Sequence, residues 1–133
     1  MAAHGEKMFF SGTFEHSLDS KNRVTIPARF RQALANGVAI TKGKDKCLVG
    51  YPIERWKEIG EELVMREDTE ENRREKRKFF ASTVEAIPDK QGRVLLPPHL
   101  REYAGITSEV VILGTGDCFE IWDKAAYEQE ILP

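Results

Sequence analysis

An α+β fold built from two ββαββα-type repeats in one chain, with peripheral helices, is what this sequence predicts, and three observations predict it. Residues 19–31 read DSKNRVTIPARFR and residues 89–101 read DKQGRVLLPPHLR. At an offset of 70, Asp19 falls on Asp89, Arg23 on Arg93, Val24 on Val94, Pro27 on Pro97 and Arg31 on Arg101, with Glu15 on Glu85 ahead of them. One added residue in the second half then aligns CLVGYP (47–52) with CFEIWD (118–123), and Trp56 with Tyr127. Finally, both halves alternate short apolar strands, closed by proline or turn residues, with short stretches of helical period. Repetition of this kind decides the architecture before any single element is weighed.

Each element has a local cause. GTFEHSL (12–18) leads as a strand into a turn and RVTI (23–26) returns as a second strand ending at Pro27; ASTVEAI (81–87) and RVLL (93–96) repeat this and end at Pro97. Proline has no N–H for a ladder but a φ suited to a first helical turn, so ARFRQAL and PHLREYA read as short helices carrying Arg29, Arg31 and Arg101. A hairpin follows in each half: VAIT, the turn KGKDK and CLVGY in the first, and EVVIL, GTGD and CFEIW in the second. Each hairpin runs into a helix, from about Ile53 to Met65 with Trp56, Ile59 and Leu63 on one face, and from about Lys124 to Leu132. After the acidic break EDTEEN, NRREKRKFFAS has the composition of one further helix. The organisation expected is an extension over 1–7, a first repeat over 8–71, a linking helix over 72–81 and a second repeat over 82–133.

The leading turns carry the polar signature. Asn22 and Gly92 share one slot, and they are the residue types that best tolerate φ > 0, which a tight two-residue hairpin turn requires. KN and QG then form the tips. Asp19 and Asp89, ahead of each tip, are placed to accept hydrogen bonds from the turn's N–H groups, and Arg23 and Arg93 begin the returning strands.

Composition excludes several classes of function. The chain has 133 residues, 41% hydrophobic and 32% charged, enough for one folded unit and too polar for a membrane span. MAAHGEK has no apolar run of signal-peptide length, Met8 is an equally natural start, and a cytoplasmic protein is expected. Cys47 and Cys118, one in each half, favour buried apolar cysteines over a disulfide or metal site, and His4, His16 and His99 are too scattered to form a cluster. No metal, cofactor or small-molecule substrate is expected. Asp19, Arg23 and His16 share a hairpin, but no nucleophile with a base partner and no phosphate-cradling loop accompanies them, which argues against an enzyme. The net charge is only −2, yet the charges are sorted. Lys21, Arg23, Arg29 and Arg31 stand without an acid, RREKRK (73–78) is basic, and acid collects over 54–71 and from Asp117 onward, so a basic and an acidic face are expected.

FFSGTFEHSLDSKNRVTIPARFR with DKQGRVLLPPHLR resembles the MraZ family, whose mark is a DxxxR signature occurring twice in one chain, each followed by a short apolar strand and proline. The resemblance covers the chain from Met8 onward. It implies an AbrB-like, pseudo-two-fold swapped-hairpin β-barrel, with both halves held in one chain. It also implies a bacterial cytoplasmic, nucleoid-associated transcriptional regulator that binds, and usually represses, the promoter of the division and cell-wall gene cluster as a ring-shaped homo-oligomer. The family's DNA-contacting arginines carry over to Arg23 and Arg93.

Against that stands a plainer reading, in which Asp19–Arg23 and Asp89–Arg93 are exposed ion pairs that steady two hairpins. Arginine rather than lysine at both equivalent positions fits a need for the planar fork, which bonds guanine O6 and N7 together in the major groove. Lys21 and Lys90 flank the tips as candidate phosphate contacts, which set register and carry no sequence information. Arg29, Arg31 and Arg101 fit a solvated helix face or a backbone contact equally, and RREKRK fits either DNA or the acidic segment of a neighbouring subunit. Trp56, Trp122, Phe79, Phe80 and Tyr127 read as packing rather than a stacking platform. The partners expected are double-stranded DNA carrying direct repeats and further copies of the chain. The alternative is a non-catalytic protein-interaction and assembly module.

Overall fold

Residues 9–131 are described by a computed structural model, so the extension 1–7 and Leu132 lie outside the described residues. The first half contains β1 (Thr13–Ser17), β2 (Arg23–Thr25), and α1 (Ala28–Arg31) continuing as a 3-10 turn over Gln32–Leu34. It goes on with β3 (Val38–Lys42), β4 (Leu48–Pro52) and α2 (Ile53–Met65). Helix α3 (Glu70–Ser82) leads to the second half: β5 (Val84–Ala86), β6 (Arg93–Leu95), α4 (Pro98–Ala104), β7 (Glu109–Gly114), β8 (Phe119–Asp123) and α5 (Lys124–Glu130). The α+β class and the duplicated element order are as the sequence predicts.

Pairing crosses between the halves. A six-stranded antiparallel sheet runs β1-β7-β8-β4-β3-β5, and β2 pairs with β6 in a separate two-stranded ribbon. Exchanging each strand for its counterpart reverses the sheet order onto itself. The registers obey the same operation: the ribbon is centred on Val24↔Val94, and the β4–β8 seam is centred on Val49↔Glu120, with Leu48↔Ile121 and Gly50↔Phe119 on either side. A pseudo-two-fold axis therefore passes through the ribbon and the middle of the sheet. Leading strand β1 lies on the hairpin of the second half through Glu15↔Val111, and β5 lies on the hairpin of the first through Glu85↔Ala39.

The core lies between ribbon and sheet. Val24, Ile26, Val94 and Leu96 point into it and are no more than 2% exposed, joined from the sheet by Val38, Ile40, Leu48, Val110, Ile112, Phe119 and Ile121. Phe10, Phe14, Phe30 and Phe119 meet in edge-on and tilted pairs with ring centroids 4.9–5.7 Å apart. Gly50 makes room for this: a Cβ there would stand 2.3 Å from the Phe119 ring. On the sheet's other face α2 and α3 form a helical hairpin, with Trp56 stacked on Phe79 at 5.6 Å and Phe80 edge-on to both.

Several local expectations are revised. The leading turns are three-residue loops, Ser20–Asn22 and Lys90–Gly92. Asn22 N–H donates to the Asp19 carbonyl (2.9 Å) and Gly92 N–H to the Asp89 carbonyl (2.8 Å), with Asp19–Arg23 and Asp89–Arg93 closing the loops. Only the third residue of each has positive φ, 62° at Asn22 and 80° at Gly92, so each is a type I turn closed by a left-handed residue. The KN and QG tips of a two-residue turn, which would demand two positive φ values, do not form. Pro27 and Pro97 occupy helix N-caps with ψ of 138° and 162°, one residue earlier than the first helical turn. Helix α3 starts inside the acidic run because Thr69 caps it, its hydroxyl accepting from Asn72 N–H at 3.0 Å, and because Glu70 and Glu71 suit a helix N-terminus. Cys118 is half-buried rather than buried, while burial pushes the Cys47 thiol up to about 12.

Candidate nucleic-acid interface

Alternation along a strand fixes which side chains the ribbon shows. Val24 and Val94 face the core, so Arg23, Thr25, Arg93 and Leu95 share the outer face, Arg23 beside Leu95 and Thr25 beside Arg93. From a strand rise of ~3.4 Å and a strand spacing of ~4.8 Å, the two arginine Cα atoms stand ~8 Å apart across the pseudo-two-fold axis. The loop tips lie at opposite ends of the ribbon. Each is tied to the other half: Ile26 N–H donates to the Gly92 carbonyl at 2.7 Å, and Leu96 N–H to the Asn22 carbonyl at 3.0 Å.

Each arginine is held by its own carboxylate. Asp19 Oδ1 accepts from the N–H groups of Lys21 and Arg23, both at 2.9 Å, and Oδ2 accepts from Arg23 Nε at 2.7 Å. Asp89 repeats the pattern with Gln91 N–H (2.9 Å), Arg93 N–H (2.8 Å) and Arg93 Nε (2.8 Å). Both carboxyls are held below the ordinary value of 3.8, first by the backbone N–H of the arginine four residues on, then by its side chain. The Nε edge of each guanidinium is thus occupied. Among the described residues the Nη pairs carry no hydrogen bond, and the arginine side chains are 28% and 30% exposed. What is presented outward is two pre-aimed forks of donors.

Lys21 is the second residue of its tip and Lys90 the first, so the two ammonium groups are not related by the pseudo-symmetry. Both are exposed. The helix arginines turn out to brace the ribbon: Arg31 Nε donates to the Ile26 carbonyl at 3.0 Å and Arg101 Nε to the Leu96 carbonyl at 2.8 Å. Arg31 also lies over Gly92, where a Cβ would come within 2.3 Å of its Nε. Of RREKRK, Arg73 pairs with Asp68, Arg74 with Glu70 and Glu75 with Arg66, all within the chain. Arg55 of α2 reaches Asp117 in the other hairpin at 2.7 Å. Sequence reading overlooks Thr25 and Leu95; their signal is the alternation Arg-Val-Thr and Arg-Val-Leu after each turn.

Fold and site together define a duplicated protein in which an exchanged two-stranded ribbon presents paired arginines on a pseudo-two-fold axis. The family profile described as "MraZ protein, putative antitoxin-like" matches this chain twice, over residues 9–78 and 79–131. A protein of Carboxydothermus hydrogenoformans is 48% identical over 116 residues, covering 86% of this chain and 81% of its own length. Others from Caldanaerobacter subterraneus subsp. tengcongensis (44% over 119 residues; 89% and 83% covered) and Lactiplantibacillus plantarum (44% over 126 residues; 92% and 86%) are similar to it as well. All three are named Transcriptional regulator MraZ. The chain belongs to the MraZ family, a family of regulators and not of enzymes. No helix among the described residues is long and apolar enough to cross a membrane.

Proposed function

We propose that this chain is a sequence-specific DNA-binding transcriptional regulator that reads short base-pair elements with the arginine face of its ribbon. The observation that carries the reading is the pair of carboxylate-held guanidiniums, Arg23 and Arg93, on one exposed face. A two-stranded ribbon fits the B-DNA major groove, ~12 Å wide, and a spacing of ~8 Å between the arginines spans two to three base steps of ~3.4 Å. Asp19 and Asp89 fix the forks before binding and so reduce the ordering cost. Asn22 and Gly92 supply the left-handed closures, and Lys21 and Lys90 contact phosphates beside the tips. The regulators among its relatives support this reading.

The crosswise pairing of β1 with β7, β5 with β3 and β2 with β6 supports an AbrB-like swapped-hairpin barrel, with repeats over 8–71 and 82–133 joined by the helix between them. One chain reads few base pairs, because each good bidentate contact discriminates by only ~1–3 kcal/mol. We therefore read the working form as a ring-shaped homo-oligomer on promoter direct repeats, where effective concentration multiplies the affinity. The regulated target is the division and cell-wall gene cluster, the action is repression, and the site of action is the nucleoid in the cytoplasm. A second reading, an assembly module without DNA, rests on the exposed Val64 (60%), Met65 (83%) and Phe80 (38%) of the α2–α3 hairpin. Promoter-fragment binding across a salt series separates the two for wild type, Arg23→Ala and Arg93→Ala. A reader binds with a steep negative salt slope and loses specific binding in either folded variant. Wild type without salt-dependent binding refutes it in favour of the assembly module.

A further inference from the structure

We infer that a basic pocket around Tyr103, apart from the arginine face, binds a compact polyphosphate anion of the di- or triphosphate class. The ammonium groups of Lys42, Lys46 and Lys78 lie 5.1, 5.0 and 5.4 Å from the Tyr103 ring centroid, brought together from β3, the β3–β4 loop and α3. Lys42, Arg77, Lys78, Ser82, His99 and Tyr103 line a depression of about 410 Å³ that no carboxylate lines. None of Lys42, Lys46, Arg77 or Lys78 makes an ion pair with any described residue. Lys42, Arg77 and Lys78 line the depression together, with Lys46 at the Tyr103 ring beside it, and three cations on a wall without a carboxylate favour a multivalent anion there, although Lys42 and Lys78 also edge the neighbouring groove that holds Asp45, Glu75 and Glu120.

The local construction also points to a site. Lys46 sits at φ 62°, in the left-handed slot that Asn22 and Gly92 fill in the other three-residue loops, where a lysine has no conformational advantage. The Tyr103 hydroxyl donates to the Gly43 carbonyl, pinning that loop against α4. His99 Nε2 lies 3.2 Å from the Ser82 carbonyl, which fixes the ring at the rim with that nitrogen protonated. The duplicated fold does not require any of this. In the equivalent hairpin loop the second half carries Gly116 and Asp117, and the counterpart of Tyr103 is Ala33. Lys78 belongs to α3, which packs through Thr41, Phe79 and Ser82 on the sheet face turned away from the core and the ribbon, so the pocket is not part of the arginine face.

The test is calorimetric titration of sodium tripolyphosphate into the full chain at constant ionic strength, with sodium chloride and sulfate at matched ionic strength as references. Saturable binding at one anion per chain is expected. Lys78→Ala and Lys42→Ala should each weaken it by about 10-fold, the cost of one lost charge-assisted contact. Arg23→Ala should bind tripolyphosphate like wild type, and Lys78→Ala should bind promoter DNA like wild type. Heat no larger than that of the reference salts overturns the proposal. So does a Lys78→Ala chain that keeps tripolyphosphate binding. Lys78→Ala that binds no tripolyphosphate but also loses DNA affinity with a shallower salt slope assigns the pocket to duplex phosphates instead. Loss of self-association in Lys78→Ala, with no tripolyphosphate bound by wild type, assigns it to a subunit contact.

Discussion

Exchanging each ribbon arginine for lysine tests base reading without removing charge. Arg23 Nε is committed to Asp19 and Arg93 Nε to Asp89, so in the proposed complex it is the two Nη groups of each that would meet a base edge. A lysine carries one ammonium and cannot do both at once. Each substitution therefore removes one bidentate base contact, worth ~1–3 kcal/mol, which is about 5- to 150-fold in specific affinity. With the Cα atoms ~8 Å apart, each side chain on its own carboxylate, the two losses should come close to adding, giving about 2–6 kcal/mol for the double variant. Because the positive charge stays, the salt slope should not change and non-specific binding should persist. The assay is titration of labelled promoter fragment and scrambled competitor at several salt concentrations, with melting curves to establish folding. Wild-type specificity in the double Arg→Lys chain would refute the fork argument, because the arginines would then act as point charges.

Four further outcomes follow from the geometry. Gly92→Ala places a Cβ 2.3 Å from Arg31 Nε at a φ of 80°, so a loss of about 1–3 kcal/mol in denaturant unfolding is expected, and Arg31→Ala in the same chain should recover only the steric part. Gly50→Ala drives a Cβ into the Phe119 ring and should cost about 1–3 kcal/mol, relieved when Phe119→Leu is added. Asp19 and Asp89 have depressed pKa values, so the unfolded chain takes up their protons first as pH falls below 3.8; their stabilisation is complete above that value and is lost as pH drops through the folded values. NMR titration should give both midpoints below 3.8. His16 is held below 6.5 by burial and then by Arg31, so the unfolded chain protonates it first and stability should begin to fall as pH drops below 6.5; wild type should lose more stability there than His16→Gln.

The readable parts of the fold are those governed by local chemistry. The bounds of α2 follow from Pro52 ahead of it and from Trp56, Ile59 and Leu63 at helical spacing, and the duplication is visible in paired Asp, Arg and Pro positions. Strand partnership is not local. Nothing in RVT says that it pairs with RVL rather than folding back on TFEHS, because either pairing buries Val24. The presence of Thr25 and Leu95 on the arginine face depends on that choice, so both went unseen. The start of α3 could be read, with Thr69 three residues before Asn72 and acids between them, but acidic composition suggested a break. Lys46 gives no signal at all, since lysine is not a residue type that marks positive φ.

Joining the two halves in one chain has a consequence for what the ribbon can read. A ribbon made by two identical chains presents identical half-faces, and its target must mirror that symmetry. Here the halves have diverged where it matters: Leu95 stands beside Arg23 but Thr25 beside Arg93, and the tips read Ser20-Lys21-Asn22 against Lys90-Gln91-Gly92. A leucine edge offers apolar contact alone, whereas a threonine can approach a thymine methyl group and donate a hydrogen bond as well. The lysines sit at different places in the two tips, so in the proposed complex they would meet phosphates on the two sides at different heights. The face therefore has a direction, and a site complementary to it is not a palindrome. Copies that bind side by side along one duplex in the same orientation need elements repeated in the same orientation. If the arginine face reads DNA as proposed, direct repeats, not inverted ones, are the operator that this divergence between halves would suit.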